Sequence, residues 1–260
     1  MGLLDLVVAM PNSEVLVMAE IRVREELESA LRHAWAQIGQ AGTWWNAEQR
    51  VAIASEVRAA NVQWHPTGDD ETHHTPTVAL EAARALPQPA MEAIHEIRNN
   101  ASRIGPSWYR RLVSAGLSEG QYVEIVSLVA IVTAIDTFCA GVGQEAWPLP
   151  TPTSGFPSYH WPPNAKQAVT WLSTLAPDQV SSSDPDLYRD RLGPRQRSGA
   201  NIHLALSAVP QSMIDWWDLF EVMYLNSAQM REFAKEFRSI SHAQIELLAA
   251  RTSALNKCAY

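Results

Sequence analysis

The sequence holds only two cysteines in 260 residues, Cys139 and Cys258, too few for a disulfide framework. Free thiols belong to reducing compartments, so the cytoplasm is the expected location. Positive charge is also scarce: 20 basic residues stand against 28 acidic ones, a formal charge of −8. No basic stripe could neutralise a phosphate backbone, and nucleic acid is not an expected partner. Long apolar runs are missing as well. The longest, "IVSLVAIVTAI" at 125–135, has 11 residues, short of the roughly 20 that span a bilayer. The opening "MGLLDLVVAM" carries Asp5 and no basic flank, a poor signal-peptide pattern, so no membrane partner is expected.

Strand-like alternation is nearly absent too, while apolar residues recur at helical spacing through most of the chain. The expected class is all-α. A long amphipathic run extends from Ser13 to about Ile38. Three further helices open on one device, a short polar residue followed three places later by Gln: Asn46 with Gln49, Ser118 with Gln121, and Ser241 with Gln244. The first side chain satisfies a free N–H of the first turn and the glutamine reaches back, which is the capping box. The second of these helices covers 119–142 and is closed by Gly141 and Gly143. Shorter helices are expected at 77–86, 89–99, 107–115, 199–208, 210–225 and 227–238, several with proline near the start, where its missing N–H costs nothing.

Periodicity fails between Trp147 and Arg197, where nine of the 16 prolines fall. Such a stretch is extended and lies on a surface, as a linker or an arm. The expected organisation is a helical unit at 1–146, a proline-rich segment at 147–197 and a second unit at 198–260. An internal repeat supports two related units: a shift of 195 residues sets Gln49 on Gln244, Ala54 on Ala249, Ala59 on Ala254 and Asn61 on Asn256. It also sets Gln63 opposite Cys258 and His65 opposite Tyr260, so the first copy has no thiol.

The closing stretch "RSISHAQIELLAARTSALNKCAY" resembles the catalytic helix of the alkylhydroperoxidase D-like and carboxymuconolactone decarboxylase superfamily. That pattern reads approximately Arg-x-Ile-Ser-x-x-Gln-x-Glu, a small-residue helix, Asn-x-Cys-x-Tyr-Cys and then a His. Glu246, Asn256, Cys258 and Tyr260 fall on its positions, with Glu246 12 residues ahead of Cys258. "WWNAEQRVAIASEVRAA", "GLSEGQYVEIVSLVAIVTAIDTFCAGVG" and "ALSAVPQSMIDWWDLFEVMYL" are similar to stretches of the two-unit, peroxidase-related members, so the likeness covers most of 43–260.

The resemblance implies an alkylhydroperoxidase-like bundle and thiol-peroxidase chemistry, with a hydroperoxide substrate and a thiol reductant as partners. Catalytic roles carry over to Glu246, Cys258 and Tyr260. A thiolate attacks the O–O bond, a second thiol resolves the sulfenic acid, and a carboxylate and an imidazole relay the protons. The partner cysteine would fall at position 261 and the histidine beyond it, so an impaired cycle is expected. The alternative is a non-enzymatic oligomeric scaffold or small-ligand binder on the same fold; decarboxylation of a lactone would need a site that the residues do not reveal.

Other residues receive plainer readings. Cys139 follows Phe138 in an apolar helix and is taken as core. Glu124 and Asp136 are expected to cap, to pair with arginine or to sit at an interface. His65, His73 and His74, with Asp69, Asp70 and Glu71, form the best metal-like cluster, read as a solvated loop. No metal and no cofactor are expected. The ten tryptophans are read as core or subunit contacts, and a homo-oligomer is expected.

Overall fold

The structure, a computed structural model, describes residues 21–61, 86–168, 170–188, 201–256 and 258. In chain order these form α1 (Glu25–Ile38), α2 (Ala47–Asn61), α3 (Gln88–Asn100), α4 (Pro106–Ser114) and α5 (Glu119–Gly141). A largely irregular passage follows, with two short strands, β1 (Lys166–Gln167) and β2 (Ser173–Thr174). The chain then continues through α6 (Asn201–Leu204), α7 (Pro210–Met223), α8 (Ser227–Arg231) and α9 (His242–Leu255). The described chain is mostly helical. The two strands pair antiparallel, Lys166 opposite Thr174.

All three expected capping boxes form. At α2 the Gln49 N–H donates to Asn46 Oδ1 at 2.8 Å and the Asn46 N–H donates to Gln49 Oε1 at 3.1 Å. Ser118 with Gln121 and Ser241 with Gln244 close the same reciprocal pair at α5 and α9. Three expected helices are shorter than their periodicity suggested. Residues 21–24 are not helical, and α1 starts after Arg24, where Glu25, Glu26 and Glu28 place negative charge against the free N–H groups of the first turn. The helix expected at 199–208 is described only as Asn201–Leu204, and Leu206 takes a left-handed φ of 69° that no helix accommodates. The helix expected at 227–238 stops at Arg231, because Glu232 leaves helical backbone with ψ 74°. The helix expected at 77–86 lies outside the described residues, save Leu86.

α5 is the central element, packed by α1, α2, α3 and α7. Being covered on several faces, it has no need of a polar stripe, and Val123, Ile125, Leu128, Val132 and Ile135 are all buried. By length and composition it is also the one helix among the described residues that would suffice to cross a membrane; here it fills the core. Val209 and Leu219 join the same core as residues of α1 to α5, so α7 closes the bundle.

The proline-rich segment lies along its own bundle. Proline has no N–H to give a ladder, and the segment attaches by isolated bonds. The Trp35 indole donates to Pro148 O at 2.9 Å, the Thr153 N–H to Gly39 O at 2.8 Å and the Tyr159 N–H to Thr43 O at 2.8 Å. Leu175, Leu187 and Tyr188 pack with Met213 and Trp217, which ties its far end to α7. α9 differs from the other long helices: only His242 is buried, while Leu247 and Leu248 are 69% and 60% exposed.

Candidate functional site

Glu246 sits in the first turns of α9. It accepts a hydrogen bond from the Tyr224 hydroxyl at 2.8 Å, and its carboxylate lies 3.4 Å from His242 Nε2, one turn earlier. Burial, reinforced by the Glu246 carboxylate, pushes the Tyr224 phenol up to about 12, which keeps it a proton donor at neutral pH. Cys258 is an exposed free thiol just beyond the helix, its N–H bonded to Ser253 O at 3.0 Å. Nine residues of helical rise, about 14 Å, carry the chain from Glu246 to the helix end at Leu255, with Cys258 beyond it, and no hydrogen bond among the described residues joins Glu246 to Cys258. Tyr260 lies outside the described residues, as do His65, His73, His74, Asp69, Asp70 and Glu71. Among the described residues, no group of three or more His, Cys, Asp or Glu could hold a metal ion.

Cys139 is fully buried in α5, and that burial, with Asp136 nearby, pushes its thiol up. Glu124 and Asp136 both pair with arginines of α2. Glu124 is completely buried; it meets Arg50 and accepts the Trp44 N–H at 2.6 Å. Asp136 takes a two-pronged contact from Arg58 at 2.8 and 2.6 Å, and the same guanidinium donates to Trp147 O at 2.7 Å and lies over the Trp35 ring. Both carboxylates are therefore committed to holding α5 against α2.

Two adjoining cavities lie on the outer side of α5. The larger, about 640 Å³, is a groove between α3, α5 and α7, walled by Ile97, Val126, Val129, Ala130, Phe138 and Trp216 among others. Asn256, just past the end of α9, stands on its rim, two residues before Cys258. The smaller, about 330 Å³, lies between α2, α3 and the end of α5; Arg58, Asp136 and Gln144 line it beside Val57, Ala140 and Ala146, which makes it the more polar of the two. Arg98 and Thr133 line both.

Those two side chains stand out for what they do not do. Arg98 Nε and Thr133 Oγ1 are buried without a hydrogen-bond partner among the described residues. Leaving such a group unpaired costs about 1–3 kcal/mol, and native interiors leave few. Arg98 is absent from the site read from sequence. A usable signal was the stripe Val126, Ala130, Thr133, Ala134 and Thr137: small residues recurring at helical spacing on an otherwise bulky helix leave a trough beside it.

No protein family, curated protein or solved structure matches this chain.

Proposed function

We propose that the chain is an alkylhydroperoxidase D-like helical protein, impaired as a thiol peroxidase, that holds a small apolar ligand in the groove between α3, α5 and α7. The groove carries the reading. At about 640 Å³ with largely carbon walls it has the size and lining of a small-molecule site. Its place beside Asn256 gives the resemblance of the closing motif a chemical sense: an alkyl hydroperoxide lying in the groove has one thiol, Cys258, near its mouth.

A Cys258 thiolate would attack the distal peroxide oxygen and break the O–O bond, becoming a sulfenic acid. The departing alkoxide would take a proton and leave as the alcohol. Resolution needs a second thiol, and Cys139 is sealed in α5. Within these 260 residues, and without an added thiol, one oxidation per chain is the expected limit. Leu247 and Leu248, exposed on α9, support self-association as part of the same reading.

Two measurements on the intact chain test it together. Cumene hydroperoxide consumption without added thiol should exceed that of Cys258→Ser by about one equivalent per chain. The neutral fluorophore N-phenyl-1-naphthylamine should bind both proteins saturably and equally. Equal consumption by the native chain and Cys258→Ser would overturn the peroxidatic role of Cys258, and failure of the fluorophore to bind would overturn the ligand site.

A further inference from the structure

We infer that the groove is built for an amphipathic monoanion, a free carboxylate carrying an alkyl tail, with its head on Arg98 and Thr133 and its tail along α5. This rests on the groove being a ligand site, as proposed above, and adds the chemistry of the ligand.

Charge bookkeeping around the two cavities identifies the head. Arg58 is neutralised by the two-pronged contact from Asp136 and further engaged by Trp147 O, so this pair leaves no net charge to satisfy. Arg98 Nε is buried without a hydrogen-bond partner among the described residues, and the guanidinium feels only the attraction of Asp136, the carboxylate already taken by Arg58. Two guanidiniums around one carboxylate leave one positive charge uncompensated among the described residues, which calls for one negative charge. A guanidinium edge offers parallel N–H donors that match the two oxygens of a carboxylate, a geometry a lone hydroxyl cannot satisfy. Thr133 Oγ1, also buried and unpaired, lines the same junction and can donate a further hydrogen bond.

The surroundings identify the tail. From Arg98 and Thr133 the larger cavity runs over Val126, Val129, Ala130 and Trp216, surface that gains only from carbon. On the other side the smaller, more polar cavity, with Gln144 and the Arg58–Asp136 pair, leaves room for water around a charged head. A polar junction with nearly pure carbon on one side and more polar lining on the other orients an amphiphile in one direction.

Isothermal titration calorimetry of the full chain near neutral pH, with decanoate, decanol and acetate as probes, tests this. Decanoate should bind saturably and at least roughly tenfold tighter than either decanol or acetate. Arg98→Met should bring decanoate down to the level of decanol while leaving decanol unchanged, and Ala130→Trp should abolish both by filling the groove. Thr133→Val, which alters only one hydroxyl, should weaken decanoate in the same direction and serves if Arg98→Met fails to give wild-type circular dichroism. Equal binding of decanoate and decanol, both lost in Ala130→Trp, would overturn the carboxylate head and leave the groove standing. Binding of neither would overturn both, and decanoate binding that survives Arg98→Met and Thr133→Val would overturn the assigned head site.

Discussion

Glu124 has no exposed surface, and its ionised form depends on two neighbours. Burial pushes its carboxyl up; the Arg50 guanidinium and the Trp44 N–H work in the opposite direction. Room for the pair comes from Gly42, where a Cβ would stand 1.9 Å from Glu124 Oε1. The two partners were visible in the sequence as residue types, but not as a pair, because 74 positions separate them and nothing local announces the contact. Removing one partner strands the other. Arg50→Met should cost about 3–5 kcal/mol in urea denaturation, while Arg50→Met with Glu124→Leu should recover most of that loss, since two apolar groups demand no solvation. Equal destabilisation in the single and double variants would contradict this.

Among the helices, legibility followed locality. The starts of α2, α5 and α9 were readable because a capping box is written within four residues. The ends of α6 and α8 were not, because the departures at Leu206 and Glu232 have no turn-forming residue at that point. The repeat between α2 and α9 illustrates the same limit: the caps match, yet Ala54 is buried in the core and Ala249 is partly exposed. Contact between helices also carries a pH dependence. His95 of α3 bonds to Glu56 of α2 at 2.5 Å, and this partner raises the imidazole above its ordinary value of 6.5 against an opposing effect of burial. The protonated form is favoured in the folded state. Its contribution is therefore fully present below pH 6.5 and is lost as pH rises through the raised value. The Tm of the native chain should exceed that of His95→Gln most at acidic pH, with the gap narrowing toward alkaline pH; a gap that widens with rising pH would contradict the pairing.

At the scale of the whole molecule, the helical class was legible and the groove was not. Class follows from periodicity, which a single sequence displays. A groove is made by what three helices leave unfilled, so Ile97, Arg98, Ala130 and Trp216 become neighbours only once α3, α5 and α7 have packed. Their placement makes sense of features that otherwise sit apart: a stripe of small residues on α5, an arginine whose buried Nε has no hydrogen-bond partner among the described residues, and a thiol two residues beyond Asn256 at the rim. The competing apolar surface is α9, with Leu247, Leu248 and Leu255 exposed. Photolabelling of the full chain with a decyl diazirine, followed by peptide mapping, separates the two most directly. The expected result is saturable labelling within 126–138 and 216–223, competed away by unlabelled decanoate. Labelling confined to 242–255, or unchanged by the competitor, would contradict the groove as the ligand site.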